Sequence, residues 1–159
     1  MNSGAGISHI LGEEASRILL KLGIRNITVT TALERSNKGF EAAMKRSLKA
    51  ASSNEGKYCC GICTIAYWRH LAAGGLTKQQ KRLNLGMKYL YSRRDGKGRW
   101  RSFPFYYTLL ALSEIDLPSM KKELRYTAPG LEKLLKRLTG TGKYAVRRRV
   151  LVERVLDLV

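Results

Sequence analysis

Hydrophobic residues recur every three or four positions along most of the chain, which is the spacing of an amphipathic α-helix. Over residues 7–22 this pattern predicts a first helix that ends at Gly23. Over residues 59–73 small, aromatic and apolar residues occupy nearly every position, which indicates a helix buried on more than one face. Further helices are predicted over about 31–51, 77–92, 104–115, 119–126, 127–138 and 144–159. The predicted fold class is therefore all-α, with short connections.

A few residues set the predicted helix boundaries. Residues 25–31 are rich in β-branched side chains, but they have no second strand with which to pair, so we expect an extended connection there. Thr31 and Glu34 have the spacing of a capping box, which predicts the start of the second helix. Pro118 predicts a break after the fifth helix, and Pro129 predicts the first turn of a separate short helix.

A short turn of glycine, a basic residue and an aromatic residue occurs twice. Gly56-Lys57-Tyr58 precedes one apolar helix, Gly98-Arg99-Trp100 precedes another, and the two glycines are 42 residues apart. Polar and apolar helices alternate around these turns, as outer and inner helices do in helical repeat proteins. The pattern predicts stacked α/α hairpins.

These turns and their flanking helices resemble the repeat of the terpenoid cyclase and protein prenyltransferase superfamily. Residues 90–100 (LYSRRDGKGRW) resemble the junction between an outer and an inner helix, and residues 48–58 resemble it more weakly. Residues 103–112 (FPFYYTLLAL) resemble the inner helix. The resemblance covers about residues 35–125, or two repeats. It implies part of an α/α toroid, which would form an open arc or be completed in a homo-oligomer.

The catalytic motifs of that superfamily are missing from this sequence. It contains no D-x-D-D motif and no D-D-x-x-D motif, and Asp95, Asp116 and Asp157 are isolated. The resemblance therefore implies a protein without cyclase activity. The leading interpretation is a non-catalytic binding module, and any other activity is left open.

Length and composition fit one domain over residues 1–159, with residues 1–6 expected to be frayed. Hydrophobic residues make up 44% of the chain and charged residues 26%, which is typical of globular proteins. No apolar run approaches the roughly 18–20 residues of a membrane span, and the N-terminus lacks the pattern of a signal peptide. Three clustered cysteines suit reduced thiols better than disulfides, so we expect a cytoplasmic protein.

The charge distribution predicts the kind of partner. The chain has 30 lysines and arginines against 12 aspartates and glutamates, a formal net charge of +18. A compact fold with this much positive charge is stabilised beside a polyanion, and nucleic acid is the leading candidate, with anionic lipid or an acidic protein as alternatives. A solvated surface of the thermophilic kind is the other interpretation, although such surfaces usually balance lysine with glutamate. The candidate contacts lie in two basic segments and are Arg93, Arg94, Lys97, Arg99, Arg101, Lys143, Arg147, Arg148 and Arg149.

An aromatic pocket implied by the resemblance offers an alternative function, the binding or transfer of an isoprenoid. A prenyl diphosphate head group would then contact Arg93, Arg94 and Arg101. The competing interpretation is that the rings pack the interior and leave only solvated arginines. The candidate pocket residues are Trp68, Trp100, Phe103, Tyr106 and Tyr107.

Cys60, Cys63 and His70 form a set of residues with metal-ligand character. Cys-x2-Cys is a spacing found in zinc sites, and His70 follows two helical turns after Cys63. No second pair supplies a fourth ligand, and cysteine is also a common small apolar residue in packed helices. The sequence therefore favours packing over zinc here, and no cofactor is predicted.

Overall fold

The computed structural model describes residues 4–50 and 56–159, with side chains described over residues 7–46 and 56–159. The described residues form seven α-helices and no β-strand, so the predicted all-α fold class is confirmed. None of these helices combines the length and the apolar character that crossing a membrane requires. The helices are α1 (Gly4–Leu22), α2 (Ile27–Ala50), α3 (Gly61–Ala72), α4 (Gln79–Ser92), α5 (Phe105–Leu112), α6 (Pro118–Leu135) and α7 (Lys143–Leu156).

The chain divides into two compact units, Met1–Gly86 and Met87–Val159. In the first unit, α1 packs against α3 and α2. In the second unit, α5, α6 and α7 pack against one another. The single domain over 1–159 stays a prediction. Helix α1 already begins at Gly4, inside the segment that was expected to be frayed, and residues 1–3 lie outside the described residues.

Helix α3 is the core of the first unit, as its apolar composition predicts. Its residues from Cys63 to Leu71 are all buried. Trp68 is completely buried, and its Nε1–H donates to the carbonyl oxygen of Gly56 at 2.8 Å. The backbones of Gly56 and Gly86 pass so closely that a Cβ on Gly56 would lie 2.3 Å from the Gly86 nitrogen. Glycine at position 56 is therefore required by this contact.

Helix α1 packs with its polar side inward, although an amphipathic helix ordinarily buries its apolar stripe. Ser16 is buried, and its hydroxyl lies 2.9 Å from that of Ser36 on α2. Arg69 of α3 forms an ion pair with Glu14. These polar contacts hold the helix in place and leave its large apolar side chains at Ile7, Leu11, Ile18 and Leu22 exposed.

The second helix begins at Ile27, so the predicted extended connection over 25–31 is wrong from residue 27 onward. Asn26 provides the reason, because its Oδ1 accepts the backbone N–H of Val29 at 2.9 Å. Asparagine at this position satisfies an N–H group that the first helical turn otherwise leaves unpaired, and it is a stronger N-cap than threonine. The predicted start at Thr31 therefore lies one turn inside α2. The predicted end at Ala51 lies outside the described residues.

The two short helices predicted over 119–126 and 127–138 are one helix, α6. Pro118 occupies its first turn, where a missing N–H has no cost, whereas Pro129 lies inside it. An internal proline removes one helical hydrogen bond. The helix continues because one face remains packed on both sides of the proline. The buried residues of that face are Leu124, Thr127, Ala128 and Leu131.

The two aromatic turns have different surroundings. Tyr58 packs against the rings of His9 and Phe40, at centroid distances of 5.3 and 5.1 Å. Trp100 packs near Phe105 and Tyr126, and Gly98 before it has a positive φ of 82°. Both turns precede helices, but their contacts differ, so the partial α/α toroid with its hairpin repeat stays a prediction.

Candidate functional site

The basic loop between α4 and α5 is a hydrogen-bonded hairpin turn, stabilised from within by Asp95. Its Oδ1 accepts the backbone N–H groups of Lys97 and Arg99, at 2.7 and 3.0 Å, and the hydroxyl of Tyr126 at 2.9 Å. The backbone hydrogen bonds from Lys97 and Arg99 lower the pKa of Asp95 below its ordinary value. An antiparallel bridge between Arg94 and Trp100 closes the turn.

Arg94 is directed into the second unit. Its guanidinium donates to both carboxylate oxygens of the buried Glu123, at 3.1 and 3.0 Å, and stacks 4.2 Å from the centre of the Tyr126 ring. Trp100 donates its Nε1–H to the same carboxylate at 2.8 Å. Arg94 is therefore a structural residue whose charge is already balanced.

Two exposed arginines are connected by a pair of aromatic rings on the second unit. The guanidinium carbon of Arg99 lies 4.6 Å from the centre of the Phe105 ring, and that of Arg148 lies 4.8 Å from the centre of the Tyr106 ring. The two rings are 5.5 Å apart and meet edge to face. We call these four residues the Arg99–Arg148 patch. It joins the loop, the first turn of α5 and the middle of α7.

Some of the remaining basic candidates of the second unit form hydrogen bonds within the chain, whereas others are exposed. Arg93 donates to the hydroxyl of Ser102 at 3.1 Å. Arg149 donates through Nε to the carbonyl oxygen of Leu138 at 2.8 Å, just beyond the C-terminal end of α6, which occupies most of its hydrogen-bonding edge. The exposed candidates outside the patch are Lys97, Arg101, Lys143 and Arg147.

The tryptophans of the predicted aromatic pocket are packed. Trp68 and Trp100 are 0% and 4% exposed, and the ring N–H of each is hydrogen-bonded. Phe103 is also buried, whereas Tyr106 and Tyr107 are half-buried. A groove of about 940 Å³ in the first unit is lined by other residues, from α2 and from the segment 74–82. An apolar ligand at the aromatic residues stays a prediction.

The predicted metal ligands are only partly brought together. The Nε2 atom of His70 lies 3.0 Å from Oδ1 of Asn37, and its ring fills the space beside Gly75. Among the described residues, the donor atoms that do converge are those of His9, Cys59 and Cys63, all within 4.8 Å of one another. The sequence could not indicate His9, because it lies on a different helix.

Cys60 has a separate local role at the N-terminus of α3. It is the N-cap residue, with an extended φ of −145°. Burial alone would raise the pKa of its thiol. Hydrogen bonds from the backbone of Cys63 and Ile62 and from the neighbouring thiols outweigh that effect and lower the pKa. This thiol is therefore the most readily ionised of the three.

Glu13 predicts an unusual pH dependence of stability. Burial, followed by the charges of Glu14 and Cys60, raises the pKa of Glu13 from 4.5 to about 9. Between these values the folded chain holds a proton that the unfolded chain releases, so the free energy of unfolding falls as the pH rises. We expect Glu13→Gln to reduce this fall. Urea denaturation in chelator and reductant, at about pH 7 and about pH 9, measures it.

The range from about pH 7 to about pH 9 excludes the titration of His70, which changes stability with pH in the opposite direction. Burial lowers the pKa of His70 below 6.5, so its neutral form stabilises the fold above that pH and the stability is lost in acid. Equal slopes for the wild type and Glu13→Gln above neutral pH would contradict the prediction for Glu13.

The chain matches no protein-family model, no curated protein and no solved structure. The similarity to the terpenoid cyclase and prenyltransferase repeat therefore stays a prediction from the two aromatic turns.

Proposed function

We propose that the protein is a non-catalytic binding module and that its second unit binds single-stranded nucleic acid on the Arg99–Arg148 patch. The observation that supports this is the unbroken order of guanidinium, ring, ring and guanidinium, with centre distances of 4.6, 5.5 and 4.8 Å. Proteins that bind single strands combine cations for phosphates with flat groups on which bases stack. Arginine planes also serve as stacking surfaces for bases.

The positions of the two arginines favour binding. A guanidinium that already lies on a ring has lost part of its rotational freedom, so less entropy is lost when it contacts a phosphate. Phe105 and Tyr106 stand in the first turn of α5, whose N-cap residue Pro104 provides no side-chain cap. Uncapped N–H groups at a helix start attract phosphate. Cation, stacking surface and helix terminus are therefore available together.

The charge of the second unit supports the same partner. Residues 87–159 contain 17 lysines and arginines and 7 aspartates and glutamates. Such an excess attracts any polyanion, but half-buried aromatic rings between cations favour a nucleic acid over a lipid head group or an acidic peptide. The proposal includes the cytoplasmic location expected from the sequence. The packing of Trp68 and Trp100 gives no comparable support to an isoprenoid ligand.

Fluorescence anisotropy with labelled single-stranded RNA and DNA tests the proposal. We expect the logarithm of the association constant to fall linearly with the logarithm of the salt concentration, by about 0.7 for each phosphate neutralised. The double variant Arg99→Ala/Arg148→Ala is expected to bind at least about tenfold more weakly, with a slope smaller by about 1.4. The control is Arg25→Ala/Arg35→Ala, which removes two exposed arginines of the first unit and should change affinity by less than about twofold.

A second pair of variants separates stacking from charge. Tyr106→Ala removes a stacking ring, which is worth about 1–3 kcal/mol for each base, and is expected to leave the salt slope unchanged. Tyr144→Ala removes a ring that is 71% exposed on α7 and serves as the control. Circular dichroism establishes that each variant is folded. Equal weakening by the patch and control variants, or binding that does not depend on salt, would refute the proposal.

A further inference from the structure

A cluster of three metal-ligand side chains lies in the first unit. His9 comes from α1, whereas Cys59 and Cys63 stand immediately before and within the first turn of α3. Their donor atoms all lie within 4.8 Å of one another. His9 and Cys59 are 50 residues apart in the sequence. They come together because α1 packs closely against α3.

We propose that His9, Cys59 and Cys63 bind a zinc ion, which makes the first unit a metal-stabilised module. Thiolate sulfur and imidazole nitrogen are the donors that zinc prefers, and tetrahedral geometry suits two sulfurs and one nitrogen. With zinc–sulfur and zinc–nitrogen bonds of about 2.3 and 2.0 Å, the donors of a filled site stand roughly 3.5–3.8 Å apart. Since the donor atoms lie within 4.8 Å of one another, the three side chains need to close by about 1 to 1.3 Å at most to reach that geometry.

Glu13 gives an independent reason to expect a cation at this position. It follows His9 by one helical turn, on the same face of α1. Its side chain is only 5% exposed, and neither carboxylate oxygen has a hydrogen-bond partner among the described residues. A buried carboxyl group without a partner either keeps its proton or lies beside a positive charge, and a zinc ion next to His9 would supply that charge.

His9 also has a buried polar atom that is available to a metal ion. Its Nδ1 atom is buried and lacks a hydrogen-bond partner among the described side chains and backbone groups. Metal-bound histidines are commonly held in place by their surroundings, and the Tyr58 ring at 5.3 Å does so here. Three protein donors leave a fourth tetrahedral position for water. Cys60 remains the N-cap of α3 and is not assigned as a ligand.

Cobalt substitution tests the ligand set directly. Chain prepared in reductant and freed of metal is titrated with Co²⁺. We expect one equivalent to produce thiolate-to-cobalt charge-transfer absorption and the visible bands of a tetrahedral site. Zinc added afterwards should displace the cobalt stoichiometrically, and elemental analysis should then give one zinc per chain.

Single substitutions distinguish the assigned ligands from their neighbours. Cys59→Ser and His9→Gln should weaken zinc binding by at least about a hundredfold, and Glu13→Gln by about tenfold, as expected for an outer partner. Cys60→Ser is the matched control and should retain the cobalt spectrum and nearly full affinity. Because Cys63 is buried in the core, its variant is informative only if circular dichroism shows that it is folded.

Three outcomes would overturn the assignment. The first is the absence of a cobalt spectrum in fully reduced chain. The second is a Cys60–Cys63 disulfide that forms readily while the reduced chain binds no metal. The third is loss of binding in Cys60→Ser but not in Cys59→Ser. None of these outcomes bears on the nucleic-acid proposal, which concerns the second unit.

Discussion

Gly56→Ala is expected to destabilise the first unit by about 3 kcal/mol or more, at the upper end of what overpacking costs. A Cβ at this position would lie 2.3 Å from the nitrogen of Gly86 and 2.4 Å from the carbonyl carbon of Leu85. Both are backbone atoms of α4, so relief requires the two segments to separate. Separation would also break the hydrogen bond from Trp68 to the Gly56 carbonyl, which is completely buried. Urea denaturation followed by tryptophan fluorescence measures the loss.

Gly39→Ala is the matched control for this experiment. Gly39 lies inside α2, and a Cβ there would meet nothing within 4 Å. Alanine is the better helix former, so this variant should gain roughly 0.5–1 kcal/mol. The same chemical change then has opposite signs at the two positions. Gly56→Ala with wild-type stability would show that the close approach of Gly56 and Gly86 is wrong.

Glu123→Ala is expected to cost the second unit roughly 3–5 kcal/mol, the range for removing one partner of a buried charge pair. Glu123 is 2% exposed and accepts hydrogen bonds from Arg94 and from the ring of Trp100. Its removal leaves the partly buried guanidinium of Arg94 without a counter-ion and the buried N–H of Trp100 without an acceptor. Denaturation of the variant measures the cost, and we expect affinity for single-stranded nucleic acid to fall as well, because the loop that carries Arg99 loses its anchor.

Two substitutions on α6 complete this experiment. Glu123→Gln keeps the volume and can still accept from Trp100, but it loses the ion pair with Arg94, so it should fall between the wild type and the alanine variant. Glu132→Ala removes an exposed carboxylate of the same helix and should change stability by less than about 0.5 kcal/mol. If Glu123→Ala were no more harmful than Glu132→Ala, the role of Glu123 as the anchor of the loop would be disproved.

The helices were largely predictable because a helix is determined by residues close together in the sequence. The apolar composition of residues 59–73 indicated α3, periodic apolar positions indicated α7, and Gly23 was correctly assigned as the end of α1, where its φ is 62°. The start of α2 was missed although its signal, the N-cap Asn26, is local, whereas the other errors concern distant contacts. Nothing near Pro129 shows that packed residues on both sides keep α6 continuous. Nothing within α1 shows that its polar side faces α2 and α3.

The candidate sites show the same limit. Arg94 and Arg99 belong to one basic loop and look equivalent in sequence. Glu123 lies 29 residues from Arg94 and neutralises its charge. Arg99 instead lies at the surface, over the ring of Phe105.

For the metal ligands, the sequence drew attention to Cys60 and Cys63 through their Cys-x2-Cys spacing, and to His70 two helical turns later. Of these, only Cys63 belongs to the converging donors, which are completed by Cys59 and by His9 on another helix.

The all-α fold class, most of the helix boundaries and the excess of positive charge follow from the amino-acid sequence alone, because each depends on composition or on residues a few positions apart. Tertiary structure decides that Arg99 is exposed while Arg94 is paired, and that Gly56 has no room for a side chain. It also decides which metal-ligand atoms lie close together. Those properties depend on pairs of segments far apart in the chain. Their distances are set by the packing of whole helices, which no local pattern records.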